Sequence, residues 1–332
     1  MKNGQILIFT NKDEKGIDKV LSTLDENHQQ YTRINVNSII GENDISLTES
    51  SDGLSISSNS LGLISTSKQI SSVWYRRPEN PIPTNTQKLA LENQELDLLK
   101  TEWASFFWSL YTTLGGYWIN PPLFGTKLFE HNKLYQTQLA RKVGLAVPKT
   151  IISNCPEELI RFAQNCGGIV AIKAIKQRIF ENLDGTYDGI YTNKISADHL
   201  SQHREDLSVC PVMLQEYIQK KVELRVTIVG NHVFTCTIDS QNSERTKVDW
   251  RKYDFENVGH EKSTLPDNIR DKLLTFMRQS DLVFGAIDMI LTPSGEYVFL
   301  EVNPNGQYGW IEALTGMPIS AAIADVLSNP IA

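Results

Sequence analysis

The sequence predicts an α/β chain divided into two or three domains, and three observations lead there. Its 332 residues leave room for more than one hydrophobic core. It opens on a β-α-β pattern, in which the apolar run Gln5–Thr10 precedes a charged helical stretch to about Asn27 and an alternating run, Tyr31–Val36. It closes on two apolar runs, Phe284–Leu291 and Tyr297–Val302, that flank Thr292-Pro293-Ser294-Gly295 and read as a hairpin.

Composition narrows the class. Apolar residues make up 40% and charged ones 21%, as in ordinary globular proteins. A formal charge of -7 argues against a general nucleic-acid binder, while leaving room for a local basic patch. No apolar run approaches the length of a membrane span, so no membrane association and a cytoplasmic location are expected. Cys155, Cys166, Cys210 and Cys236 lack metal spacing and are expected to be reduced and mostly buried. His199 and His203 are four apart but lack the intervening Glu of a zincin, and read as a solvated helix face.

After the opening, residues 45–66 are rich in Ser, Asn and Gly and predict a polar hairpin or loose strands. The strand Ser72–Tyr75 ends in Arg76-Arg77-Pro78, tandem arginines that suit phosphates, an acidic substrate or a salt bridge to a neighbouring helix. Glu92–Leu114 is a long helical pattern whose aromatics, Trp103, Phe106, Phe107, Trp108 and Tyr111, read as core. Gly115-Gly116 and Asn120-Pro121-Pro122 then close a first α/β domain, residues 1–118.

A second segment, 119–212, begins with a helix from about Lys127 to Val143. The strand Lys149–Ile152, the helix Pro156–Asn165 and the strand Ile169–Ala174 follow. Lys173 inside that last strand is expensive to bury alone, so an anion beside it, such as a phosphate, or snorkelling at the strand end is expected. Gln177–Asn193, with its Asp-Gly turns, reads as a mobile hairpin suited to a lid. The third segment, 213–332, holds the strand Met213–Ile218 and a hairpin of Val222–Val229 with His232–Ile238. It continues with the helix Pro266–Ser280, the acid-bearing hairpin and a last helix, Pro318–Leu327. Glu223 and Arg225 share one face of their strand, and Val222, Leu224 and Val226 take the other.

The acids of the C-terminal hairpin carry the chemistry. Side chains alternate along a strand, so Glu301 and Asn303 point to one face. With a loop of Pro293–Glu296, Thr292 faces Tyr297 and Asp288 lies opposite Glu301 on that same face. Two carboxylates and an amide oxygen so placed need a compensating cation. Mg²⁺, which binds one or two carboxylates together with substrate phosphates, supplies it.

In chain order, Lys133, Lys173, Gln215-Glu216-Tyr217-Ile218, Glu223-x-Arg225, Asp249-Trp250-Arg251, Asp288 and Glu301-x-Asn303 resemble the ATP-grasp ligases over about residues 120–327. The resemblance implies the ATP-grasp fold, with lobes 119–212 and 213–332 clamping a nucleotide behind a small N-terminal α/β domain. It implies ATP and Mg²⁺ as cofactors. Lys133 and Lys173 would contact the phosphates; Gln215, Glu216, Tyr217 and Ile218 would lie at the adenine, and Glu223 at the ribose. Arg225 and Arg251 would be catalytic, facing the triphosphate or an acyl phosphate. Asp288, Glu301 and Asn303 would coordinate the metal, Asn303 thereby also touching the nucleotide site.

The Glu-x-Arg and Asp-Trp-Arg pieces look like those of ligases that add glutamate to ribosomal protein tails, and depart from them at Tyr253, where those enzymes carry Asn. A narrower resemblance, on Val73–Pro78, Val222–Val226 and Glu301–Gln307, is to the graspetide macrocyclases of microviridin and plesiocin type, and covers most of the chain. It implies activation of Asp or Glu side-chain carboxylates in a ribosomal precursor peptide, with closure onto Thr or Ser as ω-esters or onto Lys as ω-amides. A leader segment would be recognised away from the active site, and a homodimer is compatible. Lys176, Arg178, Lys220 and Lys221 would offer a basic surface to the acidic core peptide. The alternatives are a ligase that adds free amino acids to a protein or small-molecule carboxylate, and a non-catalytic ATP-binding regulatory module.

Overall fold

In the computed structural model, residues 4–51, 53–81, 91–130, 132–176, 179–181, 187–252 and 254–330 are described. Arg178, Tyr253 and much of the stretch 177–186 lie outside them. Four short runs near the start form a parallel sheet in the order Tyr31–Asn35, Gln5–Thr10, Ile70–Tyr75, Tyr117–Ile119. A parallel sheet is covered on both faces, and the continuous apolar run of its second strand serves two cores. Leu7 and Phe9 pack with Phe107 and Leu110 of the helix Asn93–Thr113. Ile6, Ile8 and Trp74 join Phe284, Tyr308 and Ile323 from the far end of the chain. The Ser72 hydroxyl fastens the last helix, Ile319–Ser328, by donating to the Leu327 carbonyl at 2.6 Å.

Two local expectations change here. Trp108 is 47% exposed with the Lys127 ammonium 4.6 Å from its ring, so it belongs to the surface side of its helix while Phe107 fills the core. The helix expected over Lys127–Val143 is broken: a wide turn, Pro122–Lys127, and a short piece, Leu128–Glu130, precede the helix Lys133–Lys142. Asn132 causes the restart, its side-chain oxygen accepting from the Tyr135 N–H at 3.0 Å as an N-cap. Lys133 therefore stands at the first position of a helix. The Ser-rich stretch forms a meander, Ser46–Thr48, Ser55–Ser58, Leu63–Thr66.

The central lobe is an antiparallel sheet ordered Asn193–Ser196, Ile169–Lys173, Val212–Glu216, Thr150–Ser153. Helices Pro156–Asn165 and Ala197–Gln202 cover it, and Leu159, Val170, Leu200 and Leu214 form a core of its own. Within the expected lid, Ile179–Glu181 pairs with Tyr187–Gly189.

The C-terminal sheet is antiparallel, ordered His260–Ser263, His232–Ile238, Val222–Val229, Phe284–Leu291, Tyr297–Asn303. Leu224, Val226 and Met289 face the helix Asp267–Gln279 through Phe276. Glu223, Arg225 and Asp288 take the opposite face, as alternation requires, but they are buried there at 4%, 6% and 8% exposure.

Asp288 does pair with Glu301, by a route the sequence did not reveal. Leu291, not Thr292, faces Tyr297, which by simple counting would bring Leu300 opposite Asp288. A bulge between the Asp288–Glu301 and Met289–Phe299 pairs absorbs Leu300 and restores the acid pair. The loop, one residue longer than expected, is closed by the Thr292 N–H on the Glu296 carbonyl at 2.9 Å, with Gly295 at φ 87°.

Among the described residues no helix is long and apolar enough to cross a membrane. All four cysteines are free, yet only Cys236 is buried and Cys210 is exposed. The expectation of mostly buried thiols fails because the other three lie in loops and at helix ends rather than in strands. His199 and His203 stack at 4.1 Å between ring centroids.

Candidate active site

The buried charges of the C-terminal sheet meet those of the central lobe in a chain of ion pairs. Arg225 Nη1 donates to Asp288 Oδ1 at 2.8 Å. Lys133 Nζ lies 3.0 Å from Glu301 Oε2, and Arg251 Nη1 lies 3.5 Å from Glu301 Oε1. Arg251 also grips Asp249 with two nitrogens, Nε to Oδ1 at 2.8 Å and Nη2 to Oδ2 at 2.6 Å. Asp249 Oδ2 in turn accepts the Thr192 N–H at 2.8 Å, tying this corner to the central lobe.

This arrangement revises the argument from like charges. Asp288 and Glu301 face each other, but Arg225, Arg251 and Lys133 already neutralise them, so the pair does not depend on a metal for its charge balance. Among the described residues no three His, Cys, Asp or Glu side chains gather as a metal site, and Asn303 is the third oxygen donor available. Burial would raise the Glu301 carboxyl, but Lys133, Arg251 and Lys173 hold it well below the usual carboxylate range. Burial lifts Asp288 above its ordinary value, with Arg225 opposing. Two hard carboxylates with unequal proton affinity and an adjacent amide suit Mg²⁺ together with a polyphosphate.

Beside these groups lies a cleft. Ala171, Ile290 and the bulged Leu300 form its apolar wall; Lys173, Gln215, Glu216, Tyr217, Ile218, Glu223, Arg251, Asp288 and Glu301 also line it. Two observations test its fit to a nucleotide. Gln215 donates through Nε2 to Thr150 Oγ1 at 3.0 Å, leaving its buried Oε1 without a partner that an adenine amino group would satisfy. Lys173 is pulled down to about 8 by burial, which Glu301 offsets only in part while Lys133 and Arg251 add repulsion, and a further anion beside it would raise it. The residues present fit Mg·ATP.

Arg225 lines neither the cleft nor the cavity beside it. It lies behind Asp288, its Nη2 donating to the Gln307 carbonyl at 3.2 Å and its guanidinium 5.7 Å from the Trp250 ring. Gly306 allows this packing, because a Cβ there would stand 2.9 Å from Arg225 Nη2 and 2.3 Å from the Ala286 Cβ. Lys133 and Asn303 line a second space that shares Glu301 with the cleft.

The family model described as a RimK-like ATP-grasp domain matches residues 130–327. The chain belongs to the RimK-like ATP-grasp family. It is therefore an ATP-dependent carboxylate ligase.

Solved ATP-grasp structures extend the likeness over the whole chain. A RiPP-associated ATP-grasp ligase of Chryseobacterium gregarium, solved with ADP and a leader and core peptide, has a TM-score of 0.89 at 30% identity, covering 99% of this chain and 98% of that one. Macrocyclase MdnC of Microcystis aeruginosa MRC, bound with precursor peptide MdnA, has a TM-score of 0.83 at 30% identity over 98% and 99% of the two chains. MdnB of the same organism gives 0.77 at 28% identity over 98% and 99%. The comparison with curated proteins finds no match.

The structure gives three residues of this site a part that the sequence does not assign them. Lys220 does not join the basic surface expected of it, because its ammonium is buried between Glu223 Oε1 at 2.9 Å and the Val248 carbonyl at 2.8 Å. Nothing in Gln219-Lys220-Lys221 separates it from the exposed Lys221. Leu300 enters only through the bulge. Asp249 had a legible signal, since an acid two residues before Arg251 outside a helix can chelate that guanidinium.

Proposed function

We propose that the protein is an ATP-dependent peptide macrocyclase that joins Asp or Glu side chains of a ribosomal precursor peptide to Thr or Ser hydroxyls, or to Lys amines. One observation carries this reading over a ligase that adds amino acids. The likeness at 30% identity runs through the first 129 residues, which lie outside the ATP-grasp domain, and both relatives at that level were solved with precursor peptides. A shared catalytic domain alone would not require a shared N-terminal region.

When bound, Mg·ATP supplies the phosphoryl group that turns a carboxylate into an acyl phosphate, which a hydroxyl or amine can then displace. Asp288, Glu301 and Asn303 would hold the metal. Lys133 and Lys173 would hold the phosphates, and Glu223 would accept from the ribose hydroxyls while Lys220 holds its carboxylate in place. Gln215 through Ile218 would receive the adenine against Leu300 and Ile290. Arg251 offsets negative charge that develops at the transferred group, held in orientation by Asp249, and Arg225 fixes Asp288 from behind. The division into residues 1–118, 119–212 and 213–332, a leader-binding surface distant from this cleft, a homodimer and a cytoplasmic location belong to the same reading.

Incubation with Mg·ATP and the peptide encoded beside the enzyme tests it. Macrocyclisation lowers the peptide mass by one water per bond. Amino-acid ligation raises the mass, and a regulatory module leaves both peptide and ATP unchanged.

A further inference from the structure

On the other side of Glu301 from the nucleotide cleft lies a polar cavity of about 180 Å³, bordered by Arg77, Glu130, Lys133, Lys176, Glu301 and Asn303. We propose that this cavity is the subsite for a side-chain carboxylate of the acidic peptide substrate, with Arg77 and Lys176 as its anchors. The proposal rests on the macrocyclase reading and assigns its acceptor site.

Position is the first argument. Glu301 borders both spaces, so a group in the cavity is separated from the nucleotide by the proposed metal ligands. Phosphoryl transfer needs its acceptor in line, beyond the phosphate from the leaving group.

Charge is the second. Glu130 accepts from Asn305 Nδ2 at 3.1 Å, and Glu301 is paired with Lys133 and Arg251. Among the described residues neither Arg77 nor Lys176 has an ion-pair partner, and both side chains are exposed. Three cations, Arg77, Lys133 and Lys176, border this cavity with two acids, of which Glu301 is already held by Lys133 and Arg251, so Arg77 and Lys176 without ion-pair partners favour an anion that comes from outside. A carboxylate suits the planar fork of an arginine.

Backbone conformation is the third. Arg77 has φ 52°, a left-handed value that a residue with a Cβ adopts only when its surroundings impose it. Asn11 imposes it from both sides, donating through Nδ2 to the Arg77 carbonyl at 2.8 Å and accepting the Glu79 N–H at 2.9 Å. Beneath it, buried Arg76 donates through Nη1 to the Asn305 and Gly306 carbonyls, each at 3.1 Å. The turn that presents Arg77 is thus tied to the loop that follows Asn303. The tandem arginines divide their work: Arg76 fixes the frame and Arg77 faces the cavity.

The test uses the full chain with Mg·ADP and a fluorescein-labelled peptide of alternating Thr and Glu, compared with its Thr-Gln counterpart by anisotropy. The wild type should prefer the Glu peptide by about tenfold, the scale of one charge-assisted hydrogen bond. Arg77→Ala and Lys176→Ala should each erase most of that preference, Arg77→Lys should keep part of it, and Lys142→Ala, an exposed lysine outside the cavity, should keep all of it. Mg·ADP affinity should be unchanged throughout, which also reports that the variants are folded. No preference in the wild type, an intact preference in Arg77→Ala, or a loss of Mg·ADP affinity with the peptide preference retained overturns the subsite. If the preference behaves as expected and yet no precursor loses water, the subsite stands and the macrocyclase reading fails. Ring closure by Arg77→Ala with an unchanged peptide KM overturns the subsite and leaves the macrocyclase reading in place.

Discussion

Arg251 bridges Asp249 and Glu301: two of its nitrogens hold the Asp249 carboxylate and the third stands 3.5 Å from Glu301 Oε1. Removing it strands a carboxylate that is 3% exposed. Arg251→Ala should lower stability by about 3 kcal/mol, the cost of breaking a buried pair from one side. Arg251→Lys should recover little, because an ammonium cannot match the fork. In a urea double-mutant cycle, Asp249→Asn with Arg251→Ala should cost clearly less than the sum of the two changes. Additive effects would show that the pair is not coupled.

Because Arg225, Arg251 and Lys133 already neutralise Asp288 and Glu301, the nucleotide-free protein should be indifferent to chelators. Its Tm should be the same with and without EDTA. Mg·ADP affinity, in contrast, should fall at least tenfold in Asp288→Asn, about the loss seen when a metal site is weakened. A large drop in Tm on chelation would mean that the metal is structural.

Lys173 gives nucleotide binding a pH limit. Its ammonium, lowered to about 8 by burial, is charged below that pH and neutral above it, and a polyphosphate favours the charged form. Affinity for Mg·ADP should therefore be highest below pH 8 and decline as pH rises through it, with protons taken up on binding. Calorimetry in buffers of different ionisation enthalpy reads that uptake. Lys173→Met should bind more weakly and show no uptake. Proton release in the wild type at pH 8 would contradict the assignment.

Gly306→Ala places a methyl 2.3 Å from the Ala286 Cβ and 2.9 Å from Arg225 Nη2. Overpacking of this kind costs roughly 1–3 kcal/mol and should displace the loop that holds Arg225. Ala286→Gly should restore part of the loss in the double variant. Wild-type stability and turnover in Gly306→Ala would show that the loop has room.

Much of the site was legible because its residues break local rules. A lysine in an apolar strand at Lys173, and acids in two apolar strands at Asp288 and Glu301, are costly unless something answers them. Alternation then placed Glu223 and Arg225 on the face opposite Leu224. What stayed hidden depends on tertiary context. The bulge that carries Leu300 past Asp288 leaves no mark in the residue pattern, and Lys220 differs from Lys221 only in what surrounds it. The helix restart at Asn132 was readable as a cap but lies inside a longer helical pattern. Arg76 and Arg77 look alike in sequence, and only the turn clamped by Asn11 sends one inward and the other to the cavity.

The most direct measurement counts ADP released against water lost from the precursor, by chromatography and mass spectrometry on one reaction with Mg·ATP. If each carboxylate is activated once and then captured within the peptide, the two numbers rise together in equal amounts. ADP without any mass loss, a gain in peptide mass, or mass loss without ADP would contradict it.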